Sequence, residues 1–146
     1  MSEEIQTLST EYLDQCAHLY VQVFNSEPWN EQWTFNTAKT RLFEIINTPG
    51  FVGFVFKQDE LLGFLAGYCK QGQKGKNFYL EEICVRPHKQ RQGIGTKLLN
   101  KLVDTLTAIE VNRVYLLTNN DGQAEAFYKK HGYQRKQEMI FMTKQL

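Results

Sequence analysis

Val85-Arg86-Pro87-His88-Lys89-Gln90-Arg91-Gln92-Gly93-Ile94-Gly95-Thr96 joins a strand-like run to a helical one, and its reading decides the fold. Upstream, Phe78 to Val85 has the aromatic and β-branched content of a buried strand. Downstream, Ile94, Leu98, Leu99, Leu102, Val103 and Leu106 recur at the helical period up to about Ile109. Gly93 and Gly95 fall at the start of that helix. A helix start offers backbone N–H groups without intrahelical partners and roughly half a positive charge from the macrodipole. Glycine adds no Cβ to obstruct an anion approaching that backbone. Three well-known phosphate loops do not fit. A dinucleotide fingerprint needs a third glycine where Leu98 stands, and neither 93–96 nor 72–77 supplies the Gly-Lys-Ser/Thr of a P-loop. A kinase glycine-rich loop belongs to a much longer chain.

The flanking sequence reads as one continuous domain without repeats or linkers. Residues 4–8 suit a short strand, and Ser9 or Thr10 can cap a helix carrying Tyr12, Leu13, Cys16, Leu19, Tyr20, Val23 and Phe24. A loop with Pro28 and two tryptophans precedes a second helix over roughly 36–47, which Pro49-Gly50 ends. Strands follow at 51–56 and 61–69, where Gly63 and Gly67 mark weakness or close backbone approach. Gln71 to Lys76 reads as a flexible polar loop. Beyond the central helix come a strand at 113–117, a short helix at 123–130 and a final strand or hairpin over 133–142. This β-α-α-β-β-β-α-β-α-β order predicts a mixed sheet with helices on both faces. The 78–85, 94–109 and 113–117 elements form one βαβ unit with parallel strands.

Composition narrows the function. The chain has 146 residues, 42% hydrophobic, and 17 Lys+Arg balance 16 Asp+Glu to leave a net charge of +1. That balance lacks the basic surplus of a nucleic-acid-binding protein, so no nucleic-acid partner is expected. No apolar run reaches the ~20 residues of a membrane span, and the acidic start lacks the features of a signal peptide. Cys16, Cys69 and Cys84 are odd in number and have no metal-ligand spacing, which suits reduced thiols in a cytoplasmic protein and predicts no metal site.

Gln90-Arg91-Gln92-Gly93-Ile94-Gly95, read as Gln/Arg-x-x-Gly-x-Gly/Ala, closely resembles the acetyl-coenzyme A pyrophosphate loop of the GCN5-related N-acetyltransferase (GNAT) superfamily. Leu80 to Pro87 resembles the strand and Val-x-Pro step leading into that loop. Ala124-Glu125-Ala126-Phe127-Tyr128-Lys129-Lys130-His131-Gly132-Tyr133 resembles the family's Ala-x-x-Phe-Tyr-x-x-x-Gly-Phe/Tyr signature. The resemblance covers about residues 78–142. It implies an α/β (α+β mixed) GNAT fold over residues 1–146, with a mixed, mostly antiparallel sheet of six to seven strands. A homodimer is compatible with it.

The resemblance also implies a site. The backbone of Ile83, Cys84 and Val85 would pair with pantetheine in a gap between two splayed strands, and Gln90, Arg91, Gln92, Gly93, Ile94, Gly95 and Thr96 would hold the pyrophosphate. A bulge in the strand would leave an N–H to polarise the thioester carbonyl. Ala124 and Phe127 belong to the coenzyme-binding signature. The family's pantetheine-contacting Asn is replaced here by Asp121, with Asn119 and Asn120 just upstream, and which of the three takes that part is open.

Amine acetylation needs a base, because an amine with a Lys-like pKa of ~10.4 is protonated at pH 7. Glu81 and Glu82 lie mid-strand, where charge is unusual. Period-2 alternation sends them to opposite faces, Glu81 with Tyr79, Ile83 and Val85, and Glu82 with Leu80 and Cys84. By resemblance Glu81 is the leading candidate for the base and Glu82 the other, while Glu82 also suits a salt bridge, an exposed strand face or the substrate pocket. Tyr128 matches the tyrosine that protonates the leaving thiolate. Trp29, Glu31 and Trp33, with Glu82, suit a cationic acceptor through cation–π and Coulomb attraction. Their stretch resembles part of some aminoglycoside 6′-type acetyltransferases. The leading expectation is therefore acetyl transfer from acetyl-coenzyme A to a small cationic amine, polyamine-like or aminoglycoside-like. The alternatives are a protein or peptide N-acetyltransferase and a non-catalytic acetyl-coenzyme A sensor.

Overall fold

The strand-like runs assemble into one five-stranded sheet in a computed structural model that describes residues 4–90 and 92–146. Its strands, β1 (Ile5–Thr7), β2 (Phe51–Lys57), β3 (Leu61–Gly72), β4 (Gly75–Val85) and β5 (Val111–Tyr115), lie side by side in chain order. Neighbours from β1 to β4 are antiparallel, whereas β4 and β5 are parallel, as the βαβ reading requires. The helices are α1 (Leu13–Phe24), α2 (Phe35–Ile46), α3 (Ile94–Ala108) and α4 (Gln123–Lys130). The chain divides into two compact units, Met1–Leu116 and Leu117–Leu146, so the sheet and α1 to α3 belong to the first and α4 to the second.

Helix boundaries follow local chemistry. A capping box opens α2: the Thr37 N–H donates to Thr34 Oγ1 and the Thr34 N–H donates to Thr37 Oγ1, both at 3.0 Å. The first helix starts differently from the capped helix expected. A single 3-10 turn, Thr10–Tyr12, precedes α1, and Ser9 stands at its head without a capping side-chain bond.

The two faces of the sheet carry different helices. Val55, Phe64, Ala66 and Cys84 are buried with Cys16, Ala17, Leu19 and Tyr20 of α1 and Leu42 and Ile45 of α2. On the opposite face Gly63 meets α3, since a Cβ there would lie 3.2 Å from Ile94 and 3.5 Å from Leu98. Gly63 thus marks a close approach of helix to strand.

One residue interrupts the β3–β4 ladder. Cys84 pairs with Phe64, Ile83 with Leu65 and Glu82 with Ala66, but Gly67 then pairs with Leu80 and Tyr68 with Tyr79. Glu81 is the extra residue of a β-bulge, so the side chains change face across it. Phe64, Ala66 and Tyr68 alternate regularly along β3, and their partners Cys84, Glu82 and Tyr79 therefore share the face toward α1 and α2. Leu80 lies on the α3 face with Ile83 and Val85. The simple alternation expected for this strand fails at Glu81 for this reason. Gly67 is required opposite the bulge: a Cβ there would stand 2.1 Å from the Tyr79 carbonyl oxygen and 2.6 Å from the Phe78 ring.

Three expectations are corrected. Gln71 to Lys76 is a hairpin in which Gln71 pairs with Lys76 and Gly72 with Gly75, and the turn is held by the Asn112 side-chain amide donating to the Lys74 carbonyl at 2.6 Å. β5 starts at Val111 because the chain turns at Glu110, whose φ is +61°. Among the described residues no strand forms over 133–142, so the sheet has five strands and not six to seven. The apolar run Met139 to Met142 is exposed and has no hydrogen-bonding strand neighbour, without which apolar content alone makes no strand.

Replacing Gly67 with Ala is expected to destabilise the protein by about 1–3 kcal/mol through overpacking against fixed backbone. Urea denaturation measures this, and an unchanged midpoint would mean that the bulge does not need the close approach.

Candidate active site

The bulge turns two adjacent carboxylates toward one guanidinium. Arg41, on α2, donates through Nε to Glu82 Oε2 at 2.6 Å and through Nη2 to Glu81 Oε2 at 3.1 Å. The Tyr20 hydroxyl, from α1, also donates to Glu82 Oε2 at 2.9 Å. Glu82 is only 8% exposed and sits behind, whereas Glu81 is 19% exposed at side-chain level and faces outward. Burial pushes the Glu82 carboxyl up, against the pull of Arg41 and the Tyr20 hydrogen bond. Burial, reinforced by the Glu82 charge, also pushes the Tyr20 phenol up and keeps it a donor. The site therefore has a buried, doubly hydrogen-bonded carboxylate behind an accessible one.

The edge of β4 opens beside Glu81. Its parallel pairing with β5 ends at Tyr79–Tyr115, two residues before the bulge. Among the described residues no strand pairs with Leu80–Val85 on that side. An extended chain of amides can add to such an edge by backbone hydrogen bonding. Ile83, Cys84 and Val85, expected to meet pantetheine, occupy this stretch. The Cys84 side chain points inward, with Sγ 3.9 Å from the Leu19 carbonyl oxygen, and burial holds its thiol well above the usual range.

The turn below the strand leads into α3 through Gly93. Gly93 is the N-cap of α3 with φ +83°, a left-handed conformation natural to glycine, and a Cβ there would meet nothing within 4 Å. The first bond of the helix runs from Lys97 N–H to the Gly93 carbonyl at 2.9 Å, so the N–H groups of Ile94 and Gly95 precede the helical ladder. Gln90 is turned into the loop, its side-chain amide donating to the Val85 carbonyl at 3.0 Å, and the Gln92 amide donates to the His88 carbonyl at 3.4 Å. Both side chains brace the turn. Thr96 follows within the first turn of α3, and Arg91 lies outside the described residues. Arg86 is structural: it pairs with Glu60 at 2.9 Å and donates to the Leu61 carbonyl.

The loop before α2 is tied to the same cluster. The Asn25 side chain clamps Trp33 through its backbone, accepting from the N–H and donating to the carbonyl, both at 2.8 Å. The Trp33 ring meets Tyr20 edge-on at 4.9 Å and lies under the Arg41 guanidinium at 5.7 Å. Glu31 accepts from Trp33 Nε1 at 2.7 Å. Trp29 packs on Phe24 at 5.2 Å, so of the expected acceptor residues Trp33 is held against Arg41 while Trp29 serves the loop. A groove of about 570 Å³ bounded by α2, β3 and β4 has Glu81, Arg41 and Tyr68 in its lining. Arg41, Tyr20 and Tyr68 escape sequence reading because their partners are distant in sequence; Arg41 is 40 residues from Glu81.

The second unit holds the C-terminal signature. Asp121 has φ +59°, its N–H donates to Glu125 Oε1 at 2.6 Å, and its carboxylate pairs with Arg135 at 2.9 Å. Asp121 thus shapes the entry to α4 together with Glu125, which also accepts from Arg135 and Lys129. Asn119 is exposed just ahead of the turn at Asn120 and Asp121, and Ala124, Phe127 and Tyr128 lie on α4. The Tyr128 ring packs against Phe127 and Tyr133, both at 5.5 Å. Among the described residues no group of three or more His, Cys, Asp or Glu side chains forms a metal site.

The Arg135 hydrogen bond, helped by the Asp121 N–H, lowers the Glu125 carboxyl from 4.5 to about 2. A lowered folded-state value stabilises above the ordinary carboxylate range and is lost as pH falls through the folded value. Glu125→Gln is therefore expected to lower the melting temperature at neutral pH, with the gap to the parent narrowing as pH falls from about 4.5 toward 2. A gap that stays constant with pH would remove this ionic role.

The chain matches the Acetyltransferase (GNAT) family over residues 13–133, which spans parts of both units. No curated protein matches it. Among solved structures, it is similar to a probable acetyltransferase, with 22% identity over 99% of this chain and 98% of the other and a TM-score of 0.81. It is also similar to the aminoglycoside acetyltransferase meta-AAC0020 from an uncultured soil metagenomic sample in complex with sisomicin, with 21% identity, coverage of 98% and 95%, and a TM-score of 0.76. A transcriptional regulator from Bacillus halodurans C-125 has the same score at 19% identity, covering 95% of this chain and 97% of the other. At these identities the solved structures show the shared fold, and the family match over most of the chain carries the assignment: this protein belongs to the GNAT acetyltransferase family.

Proposed function

We propose that this protein transfers an acetyl group from acetyl-coenzyme A to the primary amine of a small molecule, with residues 1–146 acting as one domain. The observation that carries this reading is the bulge at Glu81, which sets an accessible carboxylate between the open edge of β4 and the groove under α2. The edge at Ile83–Val85 and the Gly93 turn suit the amides and phosphates of the coenzyme, which supplies an activated thioester when bound. The three cysteines are unpaired, in keeping with a reducing cytoplasm.

The chain's own groups then divide the proton chemistry. Freeing the lone pair of an ammonium of pKa ~10.4 at neutral pH costs about 4–5 kcal/mol, and Glu81, directly or through water, accepts that proton. The backbone N–H at the bulge steadies the negative charge on the acetyl oxygen as the N–C bond forms. As the C–S bond breaks, Tyr128, assigned from the family signature, returns a proton to the sulfur.

Thiol release from acetyl-coenzyme A with a panel of polyamines, aminosugars, amino acids and short peptides tests this reading, and release is expected only when an amine acceptor is present. Glu81→Gln should lower kcat by about 10²-fold. Gly93→Val should raise the KM for acetyl-coenzyme A about tenfold by filling the anion's approach. Absence of acceptor-dependent release across the panel would overturn the small-amine reading, and unaltered kcat in Glu81→Gln would remove Glu81 as base.

A further inference from the structure

We propose that Arg41 is a specificity-determining residue that makes the groove beside Glu81 a site for amines carrying one positive charge and turns away polycations. The inference rests on the reading that Glu81 receives the acceptor amine.

Arg41 is a fixed charge in this groove. Its Nε is anchored at 2.6 Å to Glu82, which is buried and also held by Tyr20, and its guanidinium lies over the Trp33 ring. Only the longer Nη2 contact, 3.1 Å, reaches Glu81. An incoming ammonium can therefore replace one arm of Arg41 at Glu81 while the residue stays in place through its other arm. Arg41 and Glu44 also belong to a second, adjoining groove of about 380 Å³ with Trp33, Asn36, Thr37 and Thr40.

The charges along this surface balance. The larger groove is lined by Arg41 and Lys70 on one side of the ledger and Glu44 and Glu81 on the other, so it is not the acidic cleft that a polyamine would favour. Once one ammonium occupies Glu81, a second one that comes within reach of Arg41 meets a like charge, and like charges at short range repel in a partly desolvated groove. An uncharged, hydroxylated body instead meets the hydroxyls of Thr37 and Thr40, the Asn36 amide and the Tyr68 ring.

A matched pair of acceptors isolates the charge: 5-aminopentan-1-ol and 1,5-diaminopentane, equal in length, titrated calorimetrically into the protein saturated with coenzyme A. The parent should bind the amino alcohol more tightly. Arg41→Gln should shift the affinity ratio toward the diamine by about tenfold or more. Arg41→Lys, which keeps the charge, should retain the parent's order and guards against a merely structural effect. A parent that prefers the diamine, an unchanged ratio in Arg41→Gln, or failure of both amines to bind would overturn the inference. Acceptor-dependent thiol release reports separately on the transfer reaction: release with an Arg41-independent ratio sinks only this inference, and an Arg41-dependent ratio without release sinks only the transfer reading.

Discussion

The bulge at Glu81 is the constraint on which the site depends. Without it, Glu81 and Glu82 would leave β4 on opposite faces and no single cation could serve both. With it, both carboxylates turn toward α2, and Arg41 offsets their repulsion through Nε and Nη2. Breaking a fully buried ion pair costs about 3–5 kcal/mol; here the figure is smaller because Arg41 is 38% exposed. The same irregularity lies two residues beyond the last β4–β5 pair, so the place where the carboxylates gather is also where the sheet opens. Gly67 makes this possible on the β3 side, where the neighbouring backbone leaves no room for a side chain.

The layers around the sheet distribute the work. The α3 face sets Gly63 of the sheet against Ile94 and Leu98 of the helix that Gly93 caps. The other face mixes core residues such as Phe64 and Cys84 with the polar cluster of Tyr20, Arg41, Glu81 and Glu82. Glu82 illustrates the difference between an enclosed and an accessible carboxylate on one strand. It is enclosed, doubly hydrogen-bonded and pushed up by burial, whereas Glu81 keeps one cation contact and an outward aspect.

Much of this was legible in the sequence. The helical stripe from Ile94 to Leu106, the strand before it and the glycines between them specify a local strand–turn–helix unit. Local periodicity suffices there because a helical stripe and a strand-like run are each spelled by residues close together in the chain. Gly63 and Gly67 of β3 likewise announced close approaches that the structure places against α3 and the bulge. What sequence alternation missed is the change of parity at Glu81, since one inserted residue leaves no local mark once Gly67 and Tyr79 are read on separate strands. The Arg41 pairings were hidden for the same reason: they depend on how α2 is laid on the sheet, not on neighbours in the chain. The stretch from Tyr133 to Met142 shows the opposite error, since its apolar run at Met139–Met142 finds no strand partner among the described residues.

Amide hydrogen exchange with and without acetyl-coenzyme A tests the central claim, that the bulged end of β4 and the turn at Gly93 form one binding surface. The account predicts slowed exchange at Ile83–Val85 and at Ile94 and Gly95 on adding the coenzyme, with β2 unchanged. Protection confined to other parts of the chain, with these amides unaffected, would contradict it.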